Sequence, residues 1–115
     1  LYDEIEHREP DSFRHFWEEP HLFDVEGAES FYELQNRAVA AVEKIAELHL
    51  DQQIAVVSHG ALIKTILCYV ENLPMDELWT PPHMHNCAHS IIRFSPEGSQ
   101  EIVQYADVAY ADLDR

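Results

Sequence analysis

The chain has 115 residues, 46% of them hydrophobic, and carries 7 Lys+Arg against 22 Asp+Glu for a formal net charge of −15. That length suffices for one acidic domain with its own core and leaves no room for a second. The charge and the lack of any Lys/Arg cluster argue against nucleic acid or an anionic membrane surface as partner, and no apolar run approaches the ~20 residues that cross a bilayer.

Taken in chain order, residues 2–9 read as a short amphipathic helix that Pro10 stops. Asp11 or Ser12 is placed to cap a second turn carrying Phe13, Phe16 and Trp17 on one side, and Pro20 ends it. Residues 20–27 read as loop. Ser30-Phe31-Tyr32-Glu33 is then the best helix start in the sequence, a capping box with Glu three residues after Ser. Apolar residues at Phe31, Leu34, Ala38, Ala41, Val42, Ile45 and Leu48 form one stripe of a helix running to about His49, with Glu33 and Arg37 spaced to pair.

Gln53-Ile54-Ala55-Val56-Val57-Ser58 is β-branched with little polar alternation, the pattern of a strand buried on both faces of a parallel sheet. After a turn at His59-Gly60, residues 61–70 read as a helix ending near Glu71-Asn72, and Pro74 to Leu78 starts a short one. Pro81-Pro82 breaks the pattern. Two strands follow at 88–94 and 100–106, joined by Ser95-Pro96-Glu97-Gly98, a type I turn signal. The acidic tail from Asp107 is weakly patterned. These elements predict a layered α/β domain.

Val57-Ser58-His59-Gly60 is the most informative tetrapeptide, because it places an imidazole at the carboxyl end of a strand where the next helix begins, the position at which open α/β sheets collect ligands. The open Ala61 and Leu62 amides at that helix start form an anion site, and Gly60 lets a phosphate approach. A His in such a turn also serves as a plain helix cap. Cys68 and Cys87 form no CxxC pair and read as reduced thiols of a cytoplasmic protein.

That tetrapeptide with Ala61-Leu62-Ile63-Lys64 after it, Gly27-Ala28-Glu29-Ser30 and a long helix before it, 73–79 as a short helix and Asn86-Cys87-Ala88 opening a strand resembles the histidine phosphatase (phosphoglycerate mutase-like) superfamily. The resemblance covers nearly the whole chain. It implies a three-layer α/β/α fold and phosphoryl transfer in which a first His, in an Arg-His-Gly turn, becomes a phosphohistidine while a second His and arginines hold the phosphoryl oxygens and a carboxylic acid protonates the leaving group. His59 matches the second His, a fixed donor to oxygens on which charge spreads. Gly60, Ala61, Asn86 and Glu29 are the candidate substrate contacts, with Asn86 as a plain turn former and Glu29 as helix-start electrostatics the competing roles. Lys64 stands where the family often has Arg, and otherwise reads as a solvated or snorkelling side chain. No cofactor or metal is implied.

No Arg-His-Gly occurs in the sequence, and residue 1 is Leu rather than Met. The expectation is therefore that residues 1–115 are the C-terminal part of a single histidine phosphatase domain, inactive alone, associated with a missing N-terminal half or a second copy of the chain, and acting on a small phosphorylated metabolite. The short stretch before Gly27 leaves little room for the insertion that mutases place there, so a phosphatase is expected. Two rival readings remain. His83, His85, Cys87 and His89 would share one face of an extended strand and could bind a metal, although same-face neighbours ~6.6 Å apart are too spread for all four to meet one ion. Tyr2, Phe13, Phe16 and Trp17 could instead form the surface of a binding module without chemistry, or core packing.

Overall fold

Prolines and capping residues cut the N-terminal part of the chain into short helices in the computed structural model, which describes residues 2–113; the side chains of Tyr2, Ile5 and Glu6 lie outside the described set, as do Leu1, Asp114 and Arg115. Helix α1 (Tyr2–Arg8) stops before Pro10, and α2 (Pro10–Glu18) starts on it. Neither Asp11 nor Ser12 caps α2: the N-cap is Glu9, with no side-chain cap hydrogen bond. Proline at the first helical position needs no cap for its own nitrogen, and its fixed φ already suits a helix, so the start moves upstream. The expected loop after Pro20 opens with a 3-10 turn, Pro20–Leu22.

Helix α3 (Phe31–Leu48) begins on the expected capping box, with Ser30 Oγ accepting from the Glu33 amide and Glu33 Oε1 accepting from the Ser30 amide, both at 3.1 Å. Its buried residues are Phe31, Ala38 and Val39, whereas Ala41 and Leu48 are exposed. Burial along α3 is thus concentrated in its first half, where it packs with α4 (Gly60–Glu71) among its neighbours. Arg37 pairs with Glu29 through two hydrogen bonds of 3.0 Å, not with Glu33, whose carboxylate is committed to the cap.

Helix α4 is the centre of the fold and buries Lys64, Thr65, Ile66, Leu67 and Cys68. It ends at Asn72, which adopts the left-handed conformation (φ 64°) that Asn tolerates, and Leu73 N–H closes the end on the Cys68 carbonyl at 3.0 Å. On one side Cys68 joins Phe31, Met75 and Leu78, the last two from the short turn Met75–Glu77 and its end. On the other side Leu67 packs on Ile102, Tyr105 and Ala106 of the sheet.

The described strands form one antiparallel sheet in the order β1 (Ile91–Phe94), β2 (Gln100–Tyr105), β3 (Val108–Ala109). The first is shorter than expected: residues 88–90 are held by the Asp107 amide on the His89 carbonyl (2.8 Å) and the Ala106 amide on Ser90 Oγ (2.9 Å), and the register shifts between Ile91 and Ile92. The Ser95–Gly98 turn closes as expected, with Gly98 N–H on the Ser95 carbonyl at 3.0 Å. Residues 107–113 carry structure that their composition did not signal. Ala106 and Asp107, both at positive φ (47° and 74°), make a two-residue hairpin into β3, and Tyr110 donates to Glu71 Oε2 at 2.8 Å.

The largest correction concerns the stretch expected to be a doubly buried strand. Residues 52–59 belong to no helix or sheet, and Ile54, Val56 and Val57 are 47%, 57% and 96% exposed. A buried parallel strand needs a neighbour on each edge and a layer on each face, and the described strands pair only with one another. What is observed is an α/β fold with helices and a small sheet. Among the described residues no helix is long and apolar enough to cross a membrane.

Candidate active site

His59 is the N-cap of α4, with extended backbone (φ −118°, ψ 157°) and its carbonyl accepting from the Ile63 amide at 3.0 Å. Its ring makes no cap hydrogen bond and the residue is exposed, so the plain capping role is not the one the imidazole plays. The amides of Gly60, Ala61 and Leu62 precede the first i→i−4 bond and are open for an anion, with the partial positive charge of the 12-residue helix behind them. A Cβ on Gly60 would stand 3.4 Å from Met84 Cβ, so Met84 lies directly against this helix start.

Beside it opens a cavity of about 850 Å³, with Gly60, Ala61, His83 and Met84 on one wall and Phe13, Phe16, Trp17, Phe23 and Trp79 on the other. Four of these rings, Phe16, Trp17, Phe23 and Trp79, form one aromatic cluster with Phe31. Phe16 has ring centroids at 4.8 Å from Trp17, 5.1 Å from Phe31, 5.4 Å from Phe23 and 5.8 Å from Trp79. Trp79 Nε1 donates to the Phe16 carbonyl at 2.7 Å, which locks two segments 63 residues apart. Helical spacing put Phe13, Phe16 and Trp17 on one face; that they wall a cavity reaching Gly60 and Ala61 was not visible in it.

Lys64 neither snorkels nor points into solvent. It is 1% exposed, and its ammonium donates to the carbonyls of Thr80 and Pro82 (2.9 Å for the latter) and to the Tyr105 hydroxyl, lying over the Tyr105 ring at 4.6 Å from the centroid. The side chain thereby ties α4 to the segment that leads into His83. A buried ammonium left without these acceptors would cost several kcal/mol, so this contact holds that segment in place.

Residues 83–89 do not form one ligating face. His85 Nε2 bonds Asp107 Oδ2 at 2.7 Å, His89 faces Gln104, and the chain turns at Asn86-Cys87, where Cys87 has φ 62°. Alternate residues share a face only in a regular strand, and this segment is a turn. Among the described residues no three His, Cys, Asp or Glu side chains come together to hold a metal. Asp107 is the residue that sequence reasoning missed here. It accepts from the His89 amide at 2.9 Å and from His85, and these bonds, the amide's first, hold its carboxyl below the usual range.

The profile of the histidine phosphatase superfamily (branch 1) matches residues 1–108. The chain belongs to this superfamily. It is similar to phosphoserine phosphatase 1 of Hydrogenobacter thermophilus, 29% identical over 80 residues, or 70% of this chain and 38% of that protein. The solved structure of Bacillus stearothermophilus YhfR superposes with a TM-score of 0.87 at 34% identity, covering 93% of this chain and 52% of that one. The chain therefore spans about half the length of YhfR and less of the phosphatase.

Of the histidine phosphatase site residues expected from sequence, Gly60 and Ala61 line the cavity, and His59, the α4 N-cap just before them, is not among its lining residues. Asn86 is exposed in its turn and does not line the cavity. Glu29 is held by Arg37, whose hydrogen bonds lower its carboxyl from the ordinary value, and it does not line the cavity.

Proposed function

We propose that this chain supplies the phosphate-holding half of a histidine phosphatase active site that hydrolyses small phosphorylated metabolites. The observation that carries the reading is His59 as the N-cap of α4, its ring outside any cap hydrogen bond, directly before Gly60 and Ala61, whose amides are open and which line a cavity. In the mechanism that superfamily membership implies, a first His attacks phosphorus, the P–O bond to the alcohol breaks, and a carboxylic acid protonates the leaving oxygen. Water then releases phosphate from the phosphohistidine. His59 and the Gly60–Leu62 amides would donate to the oxygens on which charge develops, contacts that strengthen in the transition state. The net charge of −15 does not oppose this, because charges beyond ~8 Å are largely screened at physiological salt and the α4 terminus sets the local field.

The 115 residues hold no Arg-His-Gly, so the nucleophile is assigned to a segment or chain outside them, in a three-layer domain completed by strands that pair with residues 53–58. The bare edges and faces of that stretch support such an association, with the rest of the domain or with a second copy. A well-behaved monomer in sedimentation would contradict it. Neither Cys68 nor Cys87 forms a disulfide, which supports a reducing, cytoplasmic location. With p-nitrophenyl phosphate, the purified chain is expected to show no hydrolysis above its His59→Ala variant. Robust His59-dependent turnover by these residues alone would overturn the need for a nucleophile outside them.

A further inference from the structure

The segment that backs the start of α4 is pinned at both ends. Upstream, the buried Lys64 ammonium donates to the carbonyls of Thr80 and Pro82. Downstream, the hairpin turn Ala106-Asp107 holds residues 85–90: the Asp107 amide donates to the His89 carbonyl at 2.8 Å and the Ala106 amide to Ser90 Oγ at 2.9 Å. The Asp107 carboxylate then uses both its oxygens. Oδ1 accepts from the His89 amide at 2.9 Å and Oδ2 meets His85 Nε2 at 2.7 Å, so one side chain spans the two ends of the 85–89 turn. Between the pins lies Met84, which stands against Gly60 and packs on the cluster of Leu67, Ile102, Tyr105 and Ala106.

Both turns in this contact hold residues that rarely take a left-handed backbone: Cys87 has φ 62° and Ala106 has φ 47°, positions at which Gly or Asn is usual. Such conformations persist where surrounding contacts over-determine them. The side chains of His85 and Asp107 are 56% and 46% exposed, and a pair so exposed adds little to stability. What two bonds on one carboxylate supply is geometry. The His85 amide on the His83 carbonyl (3.1 Å) and the Ala88 amide on the His85 carbonyl (3.0 Å) make the turn one unit, so fixing His85 fixes Met84 beside it. Resting on the phosphatase reading of the His59 site, we propose that Asp107 is a positioning residue for it: through His85 it holds Met84 against Gly60, and so sets the place of the first open amide of α4.

The chain has two methionines, Met84 beside Gly60 and Met75 in the opposite cluster with Phe31, Cys68 and Leu78, so their methyl resonances give a reporter and a control. In NMR of the full chain, Asp107→Ala is expected to shift the Met84 methyl and the Gly60 amide, to leave the Met75 methyl in place, and to weaken inorganic phosphate binding at the Gly60–Leu62 amides about threefold or more. Asp107→Asn keeps an acceptor for the His89 amide and a polar partner for His85, and should restore both the resonances and the affinity. His85→Ala, which leaves the His89 bond intact, should reproduce the Met84 and Gly60 shifts and the weaker binding, and it carries the test if Asp107→Ala does not fold. Phosphate affinity unchanged in both alanine variants, or a Met84 methyl that neither moves, overturns the assignment. So does an equal loss in Asp107→Asn, or displacement of Met75 together with Met84 in His85→Ala, since that marks a general loss of structure. If the unsubstituted chain shows no phosphate-dependent shifts while Asp107→Ala still moves Met84 and Gly60, the phosphatase reading falls and the positioning of the helix start stands.

Discussion

The aromatic cluster around Phe16 and the β-branched stretch at 53–58 are both apolar, yet one is packed and the other is bare. Phe16 meets four rings drawn from α2, the Phe23 loop, α3 and Trp79, all within the chain. Val57, in the most β-prone segment of the sequence, is 96% exposed. Apolar composition creates a demand for burial, and the fold meets it only where partners are present. A strand's partners are other strands, commonly distant in the chain, while a helix face can be covered by the next helix. The contrast falls on the two sides of His59: the residues before it lack neighbours, and the helix after it has them on both sides.

Substitutions can break this contrast, beginning with the largest effect. Phe16→Ala removes the ring that joins the cluster and is expected to cost about 3 kcal/mol in denaturant unfolding, at the low end for buried aromatics because Phe16 is half-buried. A cost below about 1 kcal/mol would mean that the cluster is not a core. Val57→Lys is expected to change the stability of the dilute chain by no more than about 0.5 kcal/mol while cutting self-association in sedimentation. A loss comparable to that of Phe16→Ala would place Val57 in a core after all.

The smallest effect concerns the Asp107 contacts. Its folded-state carboxyl lies below the ordinary value of 3.8, so the ionised form is favoured by the fold. That contribution is complete above the ordinary value and is lost as pH falls through the lowered one. The His89 amide resonance should accordingly titrate with a midpoint below 3.8, and a midpoint at or above it would refute the hydrogen-bonded arrangement.

What could be read from the sequence was local. The Ser30/Glu33 box, the α4 boundaries at His59-Gly60 and Asn72, and the Ser95–Gly98 turn depend on residues within a few positions of one another, and each stands where expected. The place of His59 at a helix start was legible because Gly60 and the apolar run after it are local signals, although the strand expected before it is absent. Lys64 was misread because its acceptors lie 16, 18 and 41 residues away. Asp107 was missed because its partners lie 22 and 18 residues upstream in a segment that looked like a strand. The exposure of 53–58 could not be read from a pattern that records what a segment is suited to, not whether neighbours exist.

The central claim, that the start of α4 with His59 holds a phosphoryl group, is tested most directly by an amide NMR titration of the chain with inorganic phosphate. The expected result is saturable shifts concentrated at Gly60, Ala61 and Leu62, abolished or strongly weakened in His59→Ala. Shifts absent from these amides, or unchanged in the variant, would contradict it.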